Sequence, residues 1–278
     1  MTGQPAHDPF DEAAAAAQAL AAATSASEHD IYVALGSGWA ASADLLPSGV
    51  EVPMDALPGF ATPSALGHRN VLRSLTLGDR RVLLGLGRVH LYEGYGPAAV
   101  AHAVRTAVAA GCRTLVLTNA CGSMRPEWPI GGPVLLTDQI NFTGVSPMPG
   151  TLPPAPWPGR FVPLGDLYSP RLRAIVQEVE PDIPEGIYVG FHGPEFETPA
   201  EIRMARGWGG DLVGMSTVLE AIAGRHMGAE ILGLSLVTNL AAGMSEVPLD
   251  GEHVIAVATE AAPRVADLLS RVLQRLTG

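Results

Sequence analysis

A recurring unit constrains this chain most. A short apolar run stops at a glycine or small polar residue and gives way to a helical stretch. Residues 30–35 run Asp-Ile-Tyr-Val-Ala-Leu and stop at Gly36, and residues 114–118 run Thr-Leu-Val-Leu-Thr and stop at Asn119. Residues 134–137, 186–191, 211–213 and 230–238 repeat the pattern. Apolar runs of this length, bounded this way, read as buried strands. Residues 71–77 and 81–86 read as two paired strands around the turn Gly78-Asp79-Arg80. Helices are expected over 11–26, 96–111, 170–180, 198–207, 217–227 and 251–276. In the fourth, Thr198 is the cap and Pro199 takes the first position. Residues 146–163, rich in Pro and Gly, read as a long loop of the kind that is functional or mobile. Strands that alternate with helices predict one α/β domain over 1–278, with 1–28 as an N-terminal helical segment.

The 278 residues are enough for a large core. Only 16% are charged, so much of the surface is neutral. Subunit contacts would explain that, and so would the Ala- and Gly-rich composition. The formal net charge of −11 argues against a nucleic-acid partner, which needs clustered cations. It leaves room for one small anion in a local site. Cys112 and Cys121 make no disulfide framework. The first ten residues lack the basic flank and apolar run of a secretory signal, and no apolar stretch reaches 18 residues. The expectation is a soluble cytoplasmic protein with no membrane partner.

Six segments carry chemistry. Gly36-Ser37-Gly38 follows a buried strand, where glycines let backbone N–H groups aim at an anion. It is not a P-loop, because no Gly-Lys-Ser/Thr follows. In Gly87-Arg-Val-His-Leu-Tyr-Glu-Gly-Tyr95, Arg88, His90 and Tyr92 alternate and would share one face of an extended segment. Arg88 offers a planar fork suited to phosphate. A polar edge strand with Glu93 pairing Arg88 is the plainer reading. Thr118-Asn-Ala-Cys-Gly-Ser-Met124 puts small residues at the carboxyl end of a strand, where ligands gather in α/β sheets. His192-Gly-Pro-Glu-Phe-Glu-Thr198 places a flat ring, Phe196, beside a carboxylate, Glu197, as a purine requires. The plainer role for Glu197 is a favourable charge at a helix N-terminus. Val213-Gly-Met-Ser-Thr217 and Leu236-Val-Thr-Asn-Leu240 each put a polar residue past an apolar strand. A buried Asn239 must satisfy backbone or face a ligand.

Taken together, these segments resemble the trimeric purine nucleoside phosphorylases that prefer 6-oxopurines. The resemblance runs from about residue 31 to 269 and rests on the order of Gly-Arg-x-His-x-Tyr-Glu-Gly, Thr-Asn-Ala, Glu-Thr-x-Ala-Glu and Gly-Met-Ser-Thr. It implies a central mixed, largely parallel sheet flanked by helices. It also implies that Ser37, His68, Arg88, His90, Ser216 and the Ala120 backbone hold phosphate. Tyr92 and Met215 would line the ribose, and Phe196, Glu197, Val213 and Asn239 would hold the base. Phe161 would be the aromatic residue lent to a neighbouring subunit of a homotrimer. Asn239, Glu197 and His90 would carry the chemistry. No metal or cofactor is implied, since inorganic phosphate is a co-substrate.

Two positions depart from the family pattern. Gly251 stands where the family has a histidine touching the ribose 5′-hydroxyl; the nearby histidine is His253, two residues on, which a small register change would bring to that place, and otherwise the contact is lost. Ser123 follows Cys121-Gly122 where a second glycine is usual. The implied reaction is phosphorolysis of inosine, guanosine and their deoxy forms to free base and pentose 1-phosphate. A methylthioadenosine phosphorylase and a non-catalytic nucleoside- or phosphate-binding homologue are the alternatives.

Overall fold

The computed structural model describes residues 8–64, 69–148, 155–157, 159–246 and 250–278. Its strands are β1 (Ile31–Ala34), β2 (Val50–Pro53), β3 (Val71–Leu77), β4 (Arg80–Gly85), β5 (Thr114–Ser123), β6 (Pro133–Asn141), β7 (Glu185–Gly190), β8 (Leu212–Gly214) and β9 (Glu230–Leu240). Its helices are α1 (Pro9–Thr24), α2 (Pro97–Val100), α3 (His102–Ala109), α4 (Pro170–Val179), α5 (Pro199–Gly207), α6 (Val218–His226) and α7 (Gly251–Thr277).

β5 and β9 form the spine. They run parallel from the Thr114–Glu230 pair to the Ser123–Leu240 pair, with a register shift between Cys121 and Gly122. β9 then pairs antiparallel with β6, β6 parallel with β7, and β7 parallel with β8. β8 returns antiparallel to β5 through Gly122 and Ser123, closing these five strands on themselves. β1, β4, β3 and β2 extend as a wing from the other side of β5. The sheet is mixed, flanked by helices, and of the expected class.

Alternation along the buried strands splits the core into two layers. Tyr32 and Ala34 face one layer with Leu115 and Leu117, and α1, α3 and α6 cover it through Leu20, Val104 and Val218. Ile31 and Val33 face the other with Val116, Leu232 and Leu234, and α4 and α7 cover it through Val176 and Leu269. Each such buried aliphatic side chain contributes roughly 1.5–3 kcal/mol. Both cysteines are buried, and burial raises both thiols well above their usual range.

The structure adds one strand and moves several boundaries. β2 was not foreseen. Its Val-Glu-Val-Pro sequence is short and pairs only with β3, and Pro53 is tolerated on such an edge. β5 and β9 run past the ends of their apolar runs, because the backbone of Asn119 to Ser123 pairs with that of Ser235 to Leu240. The stretch expected as one helix over 96–111 is two, α2 and α3, divided at Ala101.

Candidate active site

The six sequence segments leave their strands on one side of the sheet and enclose one cavity of about 170 Å³. Ser37, Arg88, His90, Tyr92, Ala120, Phe196, Glu197, Val213, Met215, Ser216 and Asn239 all line it. Asn119, Gly122, Thr238 and Val254, which the sequence reading did not assign to the site, line it as well.

At one end lie the donors. Arg88 is buried and does not pair with Glu93. One terminal nitrogen, Nη1, donates to Glu220 at 2.9 Å, and the other, Nη2, donates to the Thr118 carbonyl at 2.6 Å. Gly36 is required beside it, because a Cβ there would run into the Thr118 carbonyl and come within 3.2 Å of the Arg88 guanidinium. Glu93 serves His90 instead. Its Oε1 accepts from the His90 backbone N–H at 2.7 Å and from Nδ1 at 2.9 Å, while Oε2 accepts from the Ser64 N–H and hydroxyl. Burial pushes the Glu93 carboxyl up, but the hydrogen bonds from Ser64 and His90 outweigh it, so the group is held below the usual range.

The alternation expected for Arg88, His90 and Tyr92 is replaced by a 3-10 turn over Leu91–Glu93. That turn brings the His90 and Tyr92 rings into a stack, 4.7 Å between centroids and 15° apart. Burial raises the Tyr92 phenol to about 12, with the Glu93 charge adding to the shift.

Ser216 sits on a strained turn. Thr217 has φ 69° and ψ −51°, and the Val218 N–H reaches the Ser216 carbonyl at 2.7 Å. This is a γ-turn, a rare backbone state for a β-branched residue. Strain of this kind costs of order 1–3 kcal/mol and persists only where neighbours over-determine it. Here the Thr217 hydroxyl accepts from Asn119 Nδ2 at 2.9 Å and lies 3.1 Å from the Ser216 hydroxyl.

At the far end, Phe196 and Glu197 follow β7. The Gly193 backbone is left-handed at φ 72°, and a Cβ there would strike the Met215 thioether. Glu197 is 8% exposed, and burial raises its carboxyl above the usual range, with the Glu201 charge adding to it. Among the described residues, no hydrogen-bond donor from another side chain compensates this burial. Asn239 lies across from it on β9, with Nδ2 donating to the Leu240 carbonyl and Oδ1 accepting from Thr238.

Two expected residues do not line the cavity. Phe161 is 89% exposed and outside it. His253 is exposed on the first turn of α7, while its neighbour Val254 lines the cavity. His68 lies outside the described residues. Glu220 was also missed. Its one sequence signal is the Thr-x-x-Glu spacing from Thr217, which reads as a helix capping box. Among the described residues, no cluster of His, Cys, Asp and Glu could hold a metal, and no helix is long and apolar enough to cross a membrane.

A strand-end cavity with hydroxyl, guanidinium and imidazole at one end and a ring beside a carboxylate at the other defines a site for an anion next to a flat heterocycle. The profile of the phosphorylase superfamily matches residues 30–274. The chain is 52% identical over 277 residues to a purine nucleoside phosphorylase of Cellulomonas, covering 98% of this chain and 95% of that one. It is 48% identical over 272 residues to a purine nucleoside phosphorylase of Mycobacterium tuberculosis, covering 98% of each. The crystal structure of Schistosoma mansoni purine nucleoside phosphorylase with inosine superposes with a TM-score of 0.86 at 28% identity, covering 95% of this chain and 96% of that one. The chain therefore belongs to the purine nucleoside phosphorylases of the phosphorylase superfamily.

Proposed function

We propose that this cavity carries out its family's reaction, phosphorolysis of a purine nucleoside to free base and pentose 1-phosphate, with 6-oxopurines as the preferred bases. The observation that carries the base preference is the buried Glu197 carboxylate with Asn239 across the cavity. Cleaving the glycosidic bond builds positive charge on the sugar and negative charge on the departing purine. Phosphate held by Ser37, Arg88, His90, Ser216 and the Ala120 N–H stabilises the first and attacks the anomeric carbon. Asn239 turns its amide from the Leu240 carbonyl and donates towards N7 or O6, stabilising the second. Glu197 accepts from N1–H. No side chain forms a covalent bond to substrate, so rate enhancement comes from positioning and fixed dipoles.

Tyr92 and Met215 border the sugar between these ends. His68 is assigned to phosphate by the family pattern alone. The outward ring of Phe161 fits a homotrimer in which it reaches a neighbour's nucleoside. At the 5′-hydroxyl, His253 would have to turn inward from its exposed position. Glu197 and Asn239 favour this reading over a methylthioadenosine phosphorylase, because adenine has no N1–H to donate.

The test is release of free base from inosine, guanosine, adenosine and methylthioadenosine, with and without phosphate. Phosphate-dependent release from inosine and guanosine, at least about tenfold faster than from adenosine, is expected, since an unpaired buried carboxylate costs more than about 1 kcal/mol. Equal turnover of adenosine overturns the base assignment. Release without phosphate overturns phosphorolysis. Schistosoma mansoni purine nucleoside phosphorylase has been crystallised with adenosine as well, so rates and not occupancy decide.

A further inference from the structure

We propose that Glu220, which does not face the cavity, is the positioning residue of its anion end, holding Arg88 and Ser216 in register on phosphate. The inference rests on the reading of Arg88 and Ser216 as phosphate ligands.

One carboxylate oxygen does both tasks. Glu220 Oε2 accepts from Arg88 Nη1 at 2.9 Å and from the Thr217 N–H at 3.1 Å. The two side chains of the ion pair are 3% and 2% exposed, so no solvent screens them. The Thr217 N–H belongs to the strained turn that aims Ser216, and its bond to Glu220 holds that turn together with the Asn119 bond to the Thr217 hydroxyl. Two loops far apart in sequence, at 88 and 216–217, thereby share one anchor.

Each terminal nitrogen of Arg88 makes one short contact and one long one. Glu220 and the Thr118 carbonyl take the short bonds, at 2.9 and 2.6 Å. The Thr217 hydroxyl at 3.5 Å and the Ala34 carbonyl at 3.3 Å make the long ones. An incoming anion replaces the long contacts at little cost and leaves the short ones in place. Without Glu220 the guanidinium keeps only the Thr118 carbonyl as a short partner, and a buried cation is left uncompensated. Glu220 therefore sets how well the pocket takes phosphate while leaving the purine end, with Glu197 and Asn239, untouched.

The experiment is steady-state kinetics of the full chain with E220Q and E220A, varying phosphate and inosine separately, with a thermal melt of each variant. The expected result is a phosphate KM raised about tenfold or more and an inosine KM changed less than about threefold. E220Q should lie between wild type and E220A, because a glutamine oxygen can keep both bonds but not the charge. An unchanged phosphate KM in a folded variant overturns the proposal, and so does an equal rise in both KM values. Should neither variant fold, E220D decides. It keeps the charge but withdraws the carboxylate by one methylene from Arg88 and from the Thr217 N–H, and its phosphate KM should rise by about threefold or more with the inosine KM held. No rise there overturns the proposal. S216A and R88M separate the two layers of argument. If they leave the phosphate KM unmoved, the reading of the anion end fails. If they raise it and the Glu220 variants do not, the positioning role alone fails.

Discussion

His90 Nδ1 lies 2.9 Å from a Glu93 oxygen, and the side chain making that contact is 2% exposed. A carboxylate only accepts, so Nδ1 carries the proton. The same carboxylate also accepts from the Ser64 N–H and hydroxyl. E93Q keeps the shape and loses part of this control. A charge-assisted hydrogen bond is worth about 1.5–3 kcal/mol, so kcat/KM for phosphate should fall about 10- to 100-fold. Kinetics with phosphate varied at saturating inosine checks this. A value within twofold or so of wild type would remove Glu93 from the site.

Replacing Asn239 with Asp should turn base preference towards 6-aminopurines. The amide that donates to an oxo group becomes an acceptor for an amino group. The adenosine-to-inosine ratio of kcat/KM should rise about tenfold or more, for one buried hydrogen bond changed from unpaired to paired. An unchanged ratio would show that Asn239 only satisfies the Leu240 carbonyl and Thr238.

Glu197 gives the nucleoside KM a pH dependence. Burial raises its carboxyl, and N1–H binding needs the carboxylate. Inosine KM should therefore rise on acidification, starting at a pH above the ordinary glutamate value of about 4.3. E197Q should abolish that limb. A wild-type profile flat down to pH values near 4 would contradict it.

Phe161 separates assembly from stability. At 89% exposure its ring contributes little to the fold of its own subunit. F161A should keep the melting temperature within a degree or two, since surface changes usually cost under about 0.5 kcal/mol. Its nucleoside KM should nevertheless rise several-fold if the ring serves a neighbour's site. Light scattering that reports a monomer would sink this assignment.

His29 makes the fold acid-sensitive. Burial, aided by the Arg81 charge, lowers it from 6.5 to about 4, and its Nε2 is 2.8 Å from the Ser74 hydroxyl. The unfolded chain takes up this proton below pH 6.5 and the folded protein does not until about pH 4. Stability should thus fall as pH drops through that window, by up to about 3 kcal/mol. Urea unfolding at pH 7 and pH 4.5 checks the sign, and H29Q should flatten the dependence.

The sequence by itself determined the layout. Apolar runs such as 30–35 and 114–118 can only be buried strands, and the glycine or small residue that ends each one marks where a ligand can approach. Ser37, Arg88, Glu197 and Ser216 were legible because they follow a strand, and Ala120 and Asn239 because they follow an apolar run that β5 and β9 outlast. Local spacing could also give the 3.6-residue and two-residue periods that sort the helices and strands. It could not give partners. Glu93 looked like the mate of Arg88 by proximity in sequence, but the tertiary structure gave it to His90 and gave Arg88 to Glu220, 132 residues away. The strained turn at Thr217, the unforeseen edge strand β2 and the outward positions of Phe161 and His253 were likewise decided only in three dimensions. The physical reason is the same in each case. Burial fixes where a segment goes and leaves a mark in its own composition, whereas the balance of a buried charge depends on whichever group the fold brings beside it.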